Sequence, residues 1–121
     1  MKKTIVVVDD FESTRWVIEN TLAQVNAEVL KAENGKEALA FFDGRRIDLL
    51  ITDLNMPVMD GLQLVETVRK MPGYSIIPIV MLTTEVNPAK RQRAADVKIT
   101  TWIQKPYKIE HFIKVVEKCL L

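Results

Sequence analysis

Leu49-Leu50-Ile51-Thr52-Asp53-Leu54-Asn55-Met56-Pro57-Val58-Met59-Asp60-Gly61 reads as a strand, an acidic tip, a tight loop and the start of a helix. The apolar run Leu49 to Ile51 is too short for a stable helix and long enough for a buried strand. Asp53 therefore falls at that strand's carboxyl end, where its carboxylate faces the ligand crevice. Met56-Pro57 breaks the strand, and Asp60 caps the next helix with Gln63 three residues on. An aspartate at a strand end is also a common cap or turn residue, so its chemistry depends on what converges with it.

The remaining elements alternate in the same way. Thr4 to Val8 is β-branched throughout and ends in Asp9-Asp10, as a central parallel strand buried on both faces would. Ser13 to Val25 places Val17, Ile18, Leu22 and Val25 at helical spacing. Glu28 to Ala32 is a short second strand. Asn34 then caps a helix, with Glu37 three residues later, that runs through Ala38, Leu39, Phe41 and Phe42 until Asp43-Gly44 stops it. The helix that opens at Gly61 runs to about Lys70, where Pro72-Gly73 ends it. Ile76 to Thr83 contains the fourth strand, with Pro78 at its entry and Ile79 to Leu82 as its core. Asn87-Pro88 starts a fourth helix with only alanines as apolar residues before Val97, the weakest element of the chain. Thr101 to Gln104 is a fifth strand, and Ile109, Phe112, Ile113, Val116 and Leu120 give a clean amphipathic last helix. Five strands alternating with five helices argue for an α/β fold, a parallel sheet with helices on both faces. The ligand site of such a sheet lies beyond the carboxyl ends of its strands, at the switch in strand order.

The chain of 121 residues, 48% of them hydrophobic, is expected to form one domain over residues 1–121. Its 17 lysines and arginines nearly balance 16 aspartates and glutamates. A net charge of +1 gives no global reason to expect nucleic acid or an anionic membrane as partner. The one cysteine, Cys119, lies in an apolar helical pattern and reads as a small buried hydrophobe. Met1-Lys2-Lys3 leads into five apolar or β-branched residues, far short of a signal peptide or a span, so a cytoplasmic protein is expected.

The carboxyl ends of the strands collect Asp9 and Asp10, Asp53, Thr83 and Thr84, and Lys105. Carboxylates at roughly 5 Å repel by about 3 kcal/mol per pair at an effective dielectric near 20. Lys105 supplies one compensating charge. The rest calls for a hard divalent cation with oxygen ligands, Mg²⁺ rather than zinc, since no His or Cys is near. A carboxylate nucleophile beside Mg²⁺, a lysine and a hydroxyl is equipment for phosphoryl transfer. Each group also has an ordinary reading: Asp9 and Asp10 could cap the first helix, Thr83 could satisfy a carbonyl, and Lys105 could be a solvated charge. All of them falling together at strand ends favours the site.

Val8-Asp9-Asp10, Thr52 to Pro57, Met59-Asp60-Gly61, Pro78 to Thr83 and Lys105-Pro106, in order and at fitting distances, resemble the receiver domain of two-component response regulators over the whole chain. The resemblance implies the flavodoxin-like (βα)₅ strand order 2-1-3-4-5. It implies that Asp53 accepts phosphate from a phosphohistidine donor. Asp10, Asp53 and the backbone carbonyl of Asn55 would bind Mg²⁺, with Asp9 acting through a metal-bound water. Lys105 would pair with the phosphoryl group, Thr83 would move to bind it, and the Lys105-Pro106 bond would be cis. The family couples that threonine to an aromatic residue three before the lysine, here Trp102, so the face of helix four, strand five and helix five would remodel on phosphorylation. Trp102 could equally be core.

Resemblance to the chemotaxis branch implies that Asn55 and Glu85, two after Asp53 and Thr83, orient an attacking water and give self-dephosphorylation in seconds to minutes. Both could also be solvated surface residues. The family usually has Ala-Gly-Ala between helix four and strand five, whereas this chain has Val97-Lys98-Ile99, so helix four is expected to be short, shifted or mobile. Lys90 to Lys98 carries a local charge of +3 on the expected output face, either a solvated face or a surface for an acidic partner.

The leading expectation is a monomeric, stand-alone receiver, not a turnover enzyme, with a sensor histidine kinase, an output protein and a phosphatase as candidate partners. The chain's ending at Leu121 carries the stand-alone expectation. Flagellar motor control follows by analogy only. Alternatives are a phosphorelay intermediate feeding a histidine phosphotransfer protein, a phosphatase with an aspartyl-phosphate intermediate, and a flavodoxin-like cofactor binder. The phosphatase reading lacks a second aspartate two after Asp53, where Asn55 stands. Asp9-Asp10 would repel the phosphate of the last.

Overall fold

The computed structural model describes residues 2–121. Five strands, β1 (Lys3–Val8), β2 (Ala27–Ala32), β3 (Leu49–Thr52), β4 (Ile79–Thr83) and β5 (Thr101–Gln104), form one sheet in the order β2-β1-β3-β4-β5. Every pairing is parallel. The helices are α1 (Glu12–Thr21), α2 (Gly35–Leu39), α3 (Gly61–Arg69), α4 (Pro88–Asp96) and α5 (Ile109–Cys119). This is the expected doubly wound α/β fold and strand order.

Alternation along the central strands divides the core in two. Val6, Val8, Leu50, Ile79 and Met81 face Ala38, Leu62, Val65, Val68 and Ala94, so α2, α3 and α4 cover one side. Ile5, Val7, Leu49, Ile51, Val80 and Leu82 face Ile18, Phe112 and Val116 of α1 and α5 on the other. Because β1, β3 and β4 are covered on both sides, their sequences are continuous apolar runs rather than alternating ones. The sheet's carboxyl edge is left to the polar residues that succeed each run.

Three helix ends differ from the periodicity. The α-helical part of α1 stops at Thr21 and tightens into a 3₁₀ turn over Leu22–Gln24, which leaves Val25 extended. α2 ends at Leu39, and the N–H groups of Phe41 and Phe42 bond three residues back to Ala38 and Leu39. That tighter turn still delivers Phe42 to the core, edge-on to Tyr74 at 5.0 Å.

α4 is a regular helix of 9 residues despite the missing glycine, which corrects the expectation of a short or shifted element. Lys98 itself takes the left-handed conformation, φ 64°, that a glycine would fill. The N–H groups of Lys98 and Ile99 close back on the carbonyls of Ala95 and Ala94 at 3.0 and 3.3 Å, a Schellman stop. Arg69 of α3 fixes this corner by donating to the carbonyls of Lys98 (2.8 Å) and Ile77 (2.6 Å). α4 nevertheless buries only Ala94. Cys119 is half-buried, less than the buried hydrophobe expected, and that burial pushes its thiol up.

Candidate functional site: an acidic cluster at the strand ends

Asp9, Asp10 and Asp53 meet where β1 and β3 end side by side. The parallel pairing Val8 with Thr52 puts the residues after both strands level, and the Asp53 N–H donates to the Val8 carbonyl at 2.9 Å. One carboxylate oxygen from each of the three lies within 4.8 Å of the others. Asp9 is 1% exposed. Its Oδ1 accepts from the Phe11 N–H at 3.0 Å and its Oδ2 from Lys105 Nζ at 2.9 Å. The same ammonium stands 3.7 Å from Asp53 Oδ2. Asp53 Oδ1 is taken by the Leu54 N–H at 2.6 Å, so Oδ2 is the oxygen turned to the cluster.

Asp10 differs. Its Oδ1 is buried and has no hydrogen-bond partner among the described residues. A buried carboxylate oxygen without a donor is costly. Three carboxylates against one ammonium also leave an uncompensated negative charge. All-oxygen ligands, an unsatisfied carboxylate and excess negative charge are the donor set of a hard divalent cation, so the residues fit Mg²⁺. The first helix does not use these carboxylates as its cap: Phe11 occupies that position without a side-chain bond.

α3 is pressed against this loop. The Gly61 N–H donates to the Leu54 carbonyl at 2.7 Å, and a Cβ at position 61 would overlap the Asp53 carbonyl. Asp60 and Gln63 form the expected capping box. The close approach of helix to loop holds the backbone that carries Asp53.

Thr83 is fully buried at the end of β4, where its Oγ1 accepts from the Glu85 N–H at 3.2 Å. Its carbonyl accepts from the Lys105 N–H at 2.8 Å, which aligns Lys105 with the cluster, and the Lys105-Pro106 bond is cis. Trp102 is half-buried on the α4 side of the sheet, against the α2–α4 core, with the Arg91 guanidinium 5.5 Å from its ring centroid. That distance is in the cation–π range.

Asn55 and Glu85 are not independent surface residues. Asn55 Nδ2 donates to Glu85 Oε1 at 3.1 Å, and Lys90 Nζ donates to that oxygen at 2.9 Å. The Lys90 ammonium, then the Asn55 amide and the Asn87 N–H, hold the Glu85 carboxyl at about 2, well below its ordinary 4.5. Nothing in the sequence pattern marks Lys90 beyond its charge. Nor does the pattern single out Arg15, whose guanidinium donates to the Asp9 carbonyl at 2.6 Å and braces the loop from α1. Among the described residues no helix is long and apolar enough to cross a membrane.

The model of the response regulator receiver domain matches residues 5–117. The chain is 42% identical over 105 residues to the chemotaxis protein CheY1 of Helicobacter pylori, covering 85% of each. It is 40% identical over 105 residues to the chemotaxis protein CheY homolog of Campylobacter jejuni, covering 85% of this chain and 81% of that one. The solved structure of the chemotaxis response regulator CheY4 of Vibrio cholerae superposes with a TM-score of 0.90 at 39% identity, covering 99% of this chain and 100% of that one. With the matched segment running from within β1 through β5 and taking in the acidic edge, this chain belongs to the response regulator receiver domains of two-component signalling.

Proposed function

We propose that the chain is a cytoplasmic response regulator that takes a phosphoryl group onto Asp53 from a phosphohistidine kinase and changes its α4–β5–α5 face to bind an output protein. The observation that carries this is Lys105 Nζ placed 2.9 Å from Asp9 and 3.7 Å from Asp53, beside the partnerless Asp10 oxygen. Asp53 Oδ2 is the nucleophile, because Oδ1 is engaged by the Leu54 N–H. Asp10, Asp53 and the Asn55 backbone carbonyl would hold Mg²⁺, with Asp9 acting through a water; the ion would neutralise charge on the transferring group. Both Asp9 oxygens already have protein donors, which supports an indirect role for it.

Lys105 then pairs with a phosphoryl oxygen, and the buried Thr83 hydroxyl gives up its Glu85 N–H bond to donate to another. Trp102 follows Thr83 and turns inward, and with it the surface that α4 and β5 present. The output is a binding event rather than turnover of a substrate. A chemotaxis role is supported by likeness to the Helicobacter, Campylobacter and Vibrio proteins, which bear that description.

Labelled acetyl phosphate with Mg²⁺, offered to the wild type and to Asp53→Asn, tests the reading. Label is expected in the wild type alone, decaying after the donor is removed. Equal labelling of both proteins, or none in either even from a phosphohistidine donor, would overturn it.

A further inference from the structure

Lys90 belongs to none of the motifs that carry the family resemblance, yet its ammonium closes a ring at the rim of the acidic site. Nζ donates to Asn55 Oδ1 at 3.2 Å and to Glu85 Oε1 at 2.9 Å, and Asn55 Nδ2 donates to the same Glu85 oxygen at 3.1 Å. The second Glu85 oxygen accepts from the N–H groups of Val86 and Asn87 at 3.1 and 3.2 Å. The ring joins the loop after β3, the loop after β4 and the first turn of α4. Lys90, Asn55, Val86 and Asn87 together fill the capacity of the Glu85 carboxylate, which has about four acceptor sites. Asn55 Oδ1, the only acceptor atom on that side chain, gives one of its two lone pairs to Lys90. With the ring closed, the Glu85 acceptors are used and the one lone pair left on Asn55 Oδ1 is fixed in direction by the ring.

We propose that Lys90 is a positioning residue that slows loss of the phosphoryl group, by holding Asn55 and Glu85 in a ring and off the attacking water. This rests on Asp53 being the phosphoacceptor. In the step it restrains, a water oxygen bonds to phosphorus as the bond from phosphorus to Asp53 Oδ2 breaks. The electron pair of that bond restores the carboxylate, and both hydrogens of the water leave with the phosphate as H₂PO₄⁻. An Asn or Glu side chain directs such a water where a free acceptor can turn toward it, and a side chain tied into a ring by an ammonium is not free to turn. Lys90 acts through these two residues and touches no reacting atom.

Two variants separate the ring from the charge and from the helix. Lys90→Met keeps length and helix propensity but cannot donate. Lys90→Arg keeps a cation whose forked N–H groups span both acceptors. Each protein is loaded from acetyl phosphate with Mg²⁺, the donor is removed and the acyl phosphate is followed. Lys90→Met is expected to decay at least about threefold faster than the wild type, a small part of what a directed water gains. Lys90→Arg is expected to decay within about twofold of the wild type.

In the same proteins without phosphate, the ¹⁵N side-chain amide resonance of Asn55 is expected to move toward that of a free amide in Lys90→Met and not in Lys90→Arg. Labelled protein whose decay is equal or slower in Lys90→Met overturns the proposal while leaving the phosphoacceptor reading intact. An unmoved Asn55 resonance overturns it as well. A wild type that takes no label overturns the phosphoacceptor reading, and this role for Lys90 with it.

Discussion

The ammonium of Lys105 donates to Asp9 Oδ2 at 2.9 Å across 96 positions of sequence, while Asp53 Oδ2 stays 3.7 Å away. One cation is thus committed to the most buried of three carboxylates, and Asp10 is left with a buried oxygen that nothing in the described chain satisfies. A buried carboxylate oxygen without a donor opposes folding, and a divalent ion bound there would offset that cost.

Asp10→Asn should therefore act with opposite signs in the two conditions. In chelator the variant loses a like charge in the cluster and gains stability, by about 1 kcal/mol or more. Mg²⁺ at a hundred times its dissociation constant should stabilise the wild type by about 2.7 kcal/mol and the variant by little. Urea unfolding with and without Mg²⁺ measures both effects. Equal stabilisation of the two proteins by Mg²⁺ would remove Asp10 from the ligand set.

Lys98→Gly should stabilise the protein. At φ 64° a lysine bears a steric cost that glycine does not, roughly 1–2 kcal/mol, part of which is returned because glycine leaves the unfolded chain freer. A net gain of about 0.5–1 kcal/mol in urea unfolding is expected. A loss would mean that the exposed Lys98 side chain makes an unrecognised stabilising contact, since the Arg69 bond goes to its carbonyl and survives the change.

That corner also shows where the sequence stops speaking. The strands and the acidic edge are legible because β1, β3 and β4 are short apolar runs closed by Asp, Asp and Thr, and a parallel sheet collects the residues at its strands' carboxyl ends along a single edge. The end of α4 escapes the pattern because the usual signal for a helix stop is glycine, whereas here Arg69, 29 residues away, holds a strained lysine in the glycine's conformation. The ring of Asn55, Glu85 and Lys90 is invisible for a related reason. Asn55 lies 30 residues from Glu85 and 35 from Lys90, and nothing local ties such positions together. Gly61 reads as part of a helix start, whereas contact with the Asp53 carbonyl is what fixes it. Local pattern shows elements and their order; contacts between loops of different elements need the folded chain.

Glu85 should leave a mark on stability at acid pH. Its carboxyl ordinarily titrates at 4.5 and is held at about 2 in the fold, first by the Lys90 ammonium and then by Asn55 and the Asn87 N–H. A depressed carboxyl contributes stability that is complete above its unfolded pKa and is lost as pH falls toward the folded one, here between about 4.5 and about 2. Glu85→Gln has no such titration. The difference in urea midpoint between wild type and Glu85→Gln should shrink as pH is lowered through that window and be flat above it. A difference that does not change with pH would mean the carboxylate is not held by these donors.

Trp102 is the last test, because it connects the site to the surface. α4 lays a single buried residue, Ala94, on the sheet, and is otherwise tied by polar contacts near the surface: Lys90 to the loops, Arg93 3.9 Å from Glu66 of α3, the Arg69 brace at its end, and Arg91 over the Trp102 ring. A helix held so lightly has a low cost of movement. Its attachment to Trp102 is a contact of about 0.5–1 kcal/mol at an exposed site. If Thr83 moves toward a phosphorylated Asp53 and Trp102 turns inward, the ring must leave Arg91. Trp16 is 62% exposed on α1 and would mask the signal, so the measurement uses Trp16→Phe. Adding acetyl phosphate and Mg²⁺ should change Trp102 emission and its quenching by iodide, and Asp53→Asn should abolish the change. Arg91→Met, which frees the ring before any signal arrives, should move the resting emission part of the way toward the activated value. An emission that ignores phosphorylation would leave Trp102 as core and put the switch elsewhere on the sheet.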